Sequence, residues 1–455
     1  MFRMKTLASI LALALILPVA VSAQPDTGNA DFTRYVAIGD SLTAAFMSGG
    51  LVQSAQVNSY PVLIYRQATD KSTGFDQPLI SEQGIPVLLE LKSLSPLTIG
   101  PKGTQLGTLT NPLITRPYSN LGIPGAKVHD VVATVSGGIY DVILQTFSPV
   151  LRGKTALQQA QSLNPTFATI WIGNNDVLGA AVSGLVIEGV TITPVAQFEA
   201  DFRTVVNGIA ATGAEMAIAN LPDVTAIPYV TTLPFVVINP ATNQPVLING
   251  QPVPLIGPNG LLTPNDRVLL GARAELAQGK GIPVALGGTG QPLSDGSVLS
   301  AAEISTLNAR VAAYNNIIRS EATRVNAAFV DINSVFREVA TTGINVGGIT
   351  FTENFLTGGI FSYDGVHPNA FGYAYVANLF IEQINDQFDG EIPLVNLAPF
   401  MFGTSTGSSV TAAVEENGDG YPGMTRAGVR NLLWALNVDN AQGTKQKKPR
   451  RNGRR

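Results

Sequence analysis

Four short runs of this chain are almost uninterrupted in apolar character: Tyr35 to Ile38, Phe167 to Ile172, Glu215 to Ala219 and Ala327 to Ile332. A strand with one wet face would alternate apolar and polar residues, so such runs read as strands buried on both faces. Helical segments lie between them. Ser300-Ala301-Ala302-Glu303 reads as a capping box opening a long helix towards Asn326, with Ile304, Leu307, Val311, Tyr314 and Ile318 three or four residues apart. A second helix is expected to start near Pro368 and run towards Phe388, with Phe371, Tyr375, Leu379 and Phe380 on its inner face. Buried strands alternating with helices predict a three-layer α/β/α domain with a mostly parallel sheet, whose ligands bind beyond the carboxyl ends of the strands.

The chain has 455 residues, room for one large domain with insertions, and its 45% apolar content excludes wholesale disorder. Two stretches, about 81–115 and 228–292, break the alternation. They are rich in Gly, Pro and aliphatic residues, poor in charge and longer than ordinary connections, and they read as hairpins and loops over the carboxyl ends of the strands. The first residues, Met1 to Lys5, are basic; an apolar run from Leu7 to Val21 follows, and Val21-Ser22-Ala23 offers small residues for cleavage before Gln24. Residues 1–23 are therefore expected to be a secretory signal, 24–392 the main domain, and 393–455 an appendage. That appendage holds a Gly/Ser/Thr stretch, a short helix around Val429 to Leu436 and a basic tail. A periplasmic or extracellular protein is the expectation.

Cysteine is absent, so no disulfide staples the fold. Of the 28 Lys and Arg, seven lie in 445–455 and two in the first five residues, leaving 19 against 32 acidic residues, near −13 for the body. Such a body is a poor nucleic-acid binder. The tail is either a weak contact for an anionic surface or a solvated end.

The residues with chemical potential sit after the strands. Gly39-Asp40-Ser41-Leu42 follows the first run and puts a serine where a strand is expected to give way to a helix, whose N-terminal N–H groups favour an anion. Asn120-Leu121-Gly122-Ile123-Pro124-Gly125-Ala126 is a glycine-rich turn that would let a backbone N–H approach a ligand. Gly173-Asn174-Asn175-Asp176 follows the second run and offers an amide donor. Asp364-Gly365-Val366-His367-Pro368 places a carboxylate three residues before an imidazole, a spacing that lets the acid fix the ring's tautomer. Each block alone is matched by an ordinary turn. The chain has only two histidines, and His129, in the first turns of an expected helix, lacks that arrangement.

The four blocks, in this order and at these strand positions, resemble the GDSL, or SGNH, hydrolases from Tyr35 to about Phe388. The resemblance implies a flavodoxin-like sandwich with a five-stranded sheet, cleavage of carboxylic esters including lipids, acetylated sugars and thioesters, and no metal or cofactor. It implies Ser41 as nucleophile and backbone oxyanion donor, Gly125 as a second backbone donor with Gly122 as fallback, and Asn175 as side-chain donor, leaving Asn174 at the variable position. Asp364 and His367 match the acid and the base. A lipid-like or simple acyl ester is the expected substrate, with Val236-Val237-Ile238, Val253-Pro254-Leu255-Ile256 and Leu261-Leu262 either lining an acyl channel or packing the cap itself. Sugar esters are the alternative. The only tryptophans available as sugar platforms are Trp171, in an expected buried strand, and Trp434. A non-catalytic secreted binding protein on the same fold is a third reading. Glu415 to Gly420 resembles half of a calcium loop, with Arg426 where a closing carboxylate would be needed.

Overall fold

A computed structural model describes residues 25–94 and 97–401. The expected signal segment, Trp434, the 415–420 stretch, the Val429 to Leu436 helix, the basic tail and all of the appendage beyond 401 lie outside the described residues.

The sheet has five parallel strands: β1 (Tyr35–Gly39), β2 (Asn120–Gly122), β3 (Phe167–Trp171), β4 (Glu215–Ala219) and β5 (Ala328–Val330). Their spatial order is β2-β1-β3-β4-β5. This is the flavodoxin-like order, with its topological switch beside β1. The helices used below are α1 (Tyr60–Thr69), α2 (Val128–Ala133), α3 (Ala156–Ser162), α4 (Asn175–Ser183), α5 (Val195–Ala210), α6 (Ala301–Arg324), α7 (Ile332–Thr341) and α8 (Ala370–Phe388).

The two-residue period of the strands divides the core. Val36, Ile38, Ala168, Ile170, Met216 and Ile218 point to one face and pack on α2, α3, α5 and α6. Tyr35, Phe167, Trp171, Ala217, Ala219, Ala328 and Val330 point to the other and pack on α1 and α8. Both faces are covered, which is why the runs lack polar alternation. The expected Ser300 capping box is present on α6, with Leu307, Val311, Tyr314 and Ile318 buried. On α8 the buried stripe is wider than expected: Phe371 and Phe380 are buried, as are Ala374, Ala377, Ile381 and Ile384, but Tyr375 and Leu379 are only half-buried. They line an apolar cavity of about 100 Å³ shared with Phe336 of α7, Leu42 and Val366.

Two further expectations are modified. Strand β2 lies inside what reads as a turn, and the run from Ala327 ends as a strand at Val330, because Asp331 turns to cap α7 through the Ser334 N–H. The 81–115 insertion holds a hairpin, Leu89–Leu94 against Leu97–Pro101. The 228–292 insertion holds two-residue hairpins, and its strand Arg267–Val268 pairs with Val298–Leu299 ahead of α6. Val237, Leu255 and Leu262 are buried in that insertion's own core with Val268, Leu293 and Val298. The packing reading of these apolar residues therefore replaces the acyl-channel reading. No helix among the described residues is long and apolar enough to cross a membrane.

Close approach at the end of β1 and β2 demands glycine. A Cβ on Gly122 would lie 2.6 Å from the Ala44 nitrogen and 2.8 Å from the Thr43 carbonyl carbon, both backbone atoms in the turn after β1. Gly122→Ala must displace that turn, and a destabilisation of about 1–3 kcal/mol is expected. Denaturant unfolding checks this, and a parent-like midpoint would contradict the packing argument.

Candidate active site

Ser41 follows β1, but not at a helix start as the sequence reading has it. The Ala44 N–H returns to Asp40 O at 3.1 Å and the Phe46 N–H to Ser41 O at 2.9 Å, and Ala45 then takes φ +56°, which ends the coil after one turn. The anion-favouring groups here are therefore individual N–H groups rather than a helix dipole. Further left-handed residues, Ser48 and Gly49, turn the chain back across the face of the site.

The Asp364–His367 loop is closed at its neck by Ser362 N–H to His367 O at 2.9 Å and Asn369 N–H to Ile360 O at 2.8 Å, after which Asn369 caps α8. This brings His367 Nε2 to 2.9 Å from Ser41 Oγ and His367 Nδ1 to 3.0 Å from Asp364 Oδ2. An ionised carboxylate only accepts, so Nδ1 carries the proton and Nε2 faces Ser41 as an acceptor. Asp364 also accepts the Val366 and His367 N–H groups on Oδ1 at 2.9 and 2.8 Å, and the Gly49 N–H on Oδ2 at 2.9 Å. Burial by itself would raise the Asp364 carboxyl, but the facing His367 ring and these N–H groups outweigh it and hold the group at about 2.

Asn175 opens α4 beyond β3. Its Nδ2 donates to Ala126 O at 3.0 Å, and the neighbouring Asp176 accepts the Val128 N–H at 2.9 Å, so two bonds join the Gly173–Asp176 block to the Ala126–Val128 stretch that follows Gly125. Gly125 is exposed with φ +82°, a conformation that favours glycine. Neither its N–H nor that of Ser41 donates to an acceptor among the described residues. The second Asn175 amide hydrogen is also without one. Ser41, Gly125 and Asn175 thus present three N–H groups beyond the ends of three adjacent strands, β1, β2 and β3. Gly122 instead serves the packing described above and gives its N–H to Asn120 Oδ1.

Asn174 is turned inward and donates to Asp40 Oδ2 at 2.9 Å. His129 lies on α2 with its ring exposed, bound to Asp201 at 3.1 Å, away from Ser41. Residues that the sequence reading missed are Phe46, whose ring packs on the His367 imidazole at 4.7 Å between centroids, and Ser48, Gly49 and Ser362, which clasp the His367 loop. The Ser48-Gly49-Gly50 run was the available signal for the clasp; nothing local marks Phe46.

A serine hydroxyl bonded to an acid-oriented imidazole, beside unoccupied N–H donors, is equipped for acyl transfer. A family model described as GDSL-like lipase/acylhydrolase matches residues 35–380. No curated protein matches the chain. Among solved structures, Axe2, an acetylxylan esterase from Geobacillus stearothermophilus, is 14% identical, with 78% of this chain and 96% of that one covered and a TM-score of 0.36. LAE5, an α/β hydrolase from the metagenome of Lake Arreo, is 15% identical, with 78% and 96% covered and a TM-score of 0.35.

The low Asp364 value carries a stability consequence. The folded value, about 2, lies below the ordinary 3.8. The stabilisation is therefore fully present above about pH 4 and lost as pH falls through about 2. Asp364→Asn is expected to lose about 2 kcal/mol at pH 7, with the gap to the parent shrinking towards pH 2. Denaturant unfolding at the two pH values measures it; a gap independent of pH would refute the electrostatic origin.

Proposed function

We propose, from the premise that this chain belongs to the GDSL-like lipase/acylhydrolase family, that it hydrolyses carboxylic esters through an acyl-enzyme on Ser41. The observation that carries the reading is the unbroken Ser41–His367–Asp364 relay, with contacts of 2.9 and 3.0 Å. His367 Nε2 takes the Ser41 proton as Oγ attacks the ester carbonyl. The N–H groups of Ser41 and Gly125 and the free amide hydrogen of Asn175 receive the oxyanion. The imidazolium, held by Asp364, then gives its proton to the departing alkoxide oxygen. Water, deprotonated by the same nitrogen, attacks the acyl-enzyme and releases the acid.

For the substrate we propose a lipid-like or simple acyl ester. Trp171, at 2% exposure with its Nε1 donating to Asn220 O, has no face to offer a sugar ring. The loop between α4 and α5 exposes Ile187 and Val190, and Val190 O is bound by Lys127, two residues from Gly125. Lys127 thus ties this loop to the stretch that follows Gly125, and its exposed apolar side chains are the surface to which we assign the acyl group. The N-terminal basic, apolar and small-residue succession supports export, and a secreted product whose mature N-terminus is Gln24 by mass spectrometry is the expected outcome; a retained Met1 would contradict it.

A substrate panel tests the assignment. Ser41→Ala should abolish hydrolysis and fluorophosphonate labelling, and a folded parent that fails to label would revive the non-catalytic reading. Asn175→Ala should lower kcat roughly a hundredfold or more with folding intact; parent-like turnover would remove Asn175 from the oxyanion site. Rates that rise along a series of aryl esters of increasing chain length support the acyl reading, whereas preference for an acetylated polysaccharide overturns it.

A further inference from the structure

One buried acid stands next to the nucleophile and takes no part in the proton path. Asp40 is fully buried, with Oδ1 accepting the Leu42 N–H at 3.0 Å and Oδ2 accepting Asn174 Nδ2 at 2.9 Å. Asn174 is itself 4% exposed and sits at the N-cap of α4, one residue before Asn175. Its Oδ1 has no partner among the described residues, so the bond to Asp40 is what orients the amide. The contact joins the carboxyl end of β1 to that of β3.

We propose that Asp40 is a positioning residue, whose ionised carboxylate, shared between the Leu42 N–H and the Asn174 amide, sets the turn carrying Ser41 against the start of α4 carrying Asn175. This rests on the reading of Ser41 as nucleophile and Asn175 as oxyanion donor. Both partners of the carboxylate are donors. The anion accepts from both without a proton of its own to place, whereas a protonated Asp40 accepts more weakly and adds an O–H for which this pair of donors offers no acceptor.

A contact kept for stability alone would not be built this way. Burial raises the Asp40 carboxyl from 3.8 to about 6, against the lowering by Asn174, the Leu42 N–H and His367. Because the folded value lies above the ordinary one, the fold favours the protonated acid. The relative stabilisation is full below about pH 4 and is lost as pH rises through about 6. The titratable groups facing Asp40 are His367 and the phenols of Tyr60 and Tyr373, both raised by burial and so uncharged. Above pH 6 the anion is thus held against the preference of the fold, beside the groups that handle the acyl carbonyl.

The test uses the full chain, an aryl ester and a fluorophosphonate probe, with Ser41→Ala as control. Asp40→Asn is expected to lower kcat about tenfold to a hundredfold and to slow labelling of Ser41 in parallel, with KM within about threefold of the parent. Its Tm at pH 8 should be no lower than the parent's, because the disfavoured buried charge is gone. Asn174→Ala, which removes the Nδ2 donor but keeps the carboxylate, should give a smaller loss of kcat. In the double variant Asp40→Asn/Asn174→Asp the amide and carboxylate exchange sides and the hydrogen bond re-forms in reverse, so kcat should recover to within about fivefold of the parent. Parent-like kcat in Asp40→Asn overturns the proposal. So does a Tm at pH 8 that falls together with kcat, which marks an ordinary structural contact, or a double variant no faster than Asp40→Asn. Activity surviving in Ser41→Ala would instead sink the esterase reading itself, whereas a dead Ser41→Ala beside an unaffected Asp40→Asn removes this inference alone.

Discussion

The Asp364 carboxylate is the point on which the turn after β1 and the His367 loop converge. It accepts from Gly49, which belongs to the turn after β1, from the Val366 and His367 N–H groups of its own loop, and from the His367 ring. The Gly49 contact spans 315 residues. Together with the Ser48 N–H to Ser362 Oγ bond at 2.9 Å, it clasps the Ser41 turn to the His367 loop. Charge-assisted bonds from several N–H groups keep the carboxylate ionised despite its burial, and an ionised carboxylate is what dictates the tautomer of His367. Geometry and protonation state therefore have a common origin.

Much of this arrangement is legible before any coordinates. Runs buried on both faces identify β1, β3 and β4 to within a residue and locate β5, whose run overshoots the strand to Ile332, because a parallel sheet covered by helices leaves few positions for a polar side chain. The Ser300 and Glu303 capping box marks the start of α6 because the cap is a local hydrogen-bond exchange, closed within four residues. The acid–base pair is legible for the same reason: Asp364 and His367 are three residues apart, and their bond needs only a tight loop.

Contacts set by distant partners are the ones that escape. Thr43-Ala44-Ala45 has helix-compatible composition, yet the chain turns left-handed at Ala45, Ser48 and Gly49, so that the Ser48 and Gly49 N–H groups reach Ser362 and Asp364. Strand β2 has three residues in a glycine-rich stretch, and only its pairing with Ala37, Ile38 and Gly39 makes it a strand. The aliphatic residues of the second insertion are equally compatible with a channel or a small core; which one forms depends on whether Val237, Leu255 and Leu262 find each other.

That small core bears on how the insertion is joined to the His367 loop. The insertion buries its own apolar residues, so its hairpins do not draw their stability from the sheet. It meets the Asp364–His367 loop through the Tyr229 N–H, which donates to Gly365 O at 2.8 Å, and through Leu270, within van der Waals reach of the position a Gly365 Cβ would take. Substitutions at the hairpin tips, such as around exposed Leu247 and Leu261, can then alter the outer surface without moving His367, whereas changes at Tyr229 bear directly on the loop that holds it. The insertion is nonetheless not detached: Val230 and Leu269 belong to the main core and Arg267–Val268 pairs with the strand ahead of α6, so Tyr229 faces Gly365 from a segment that the body of the domain itself holds in place.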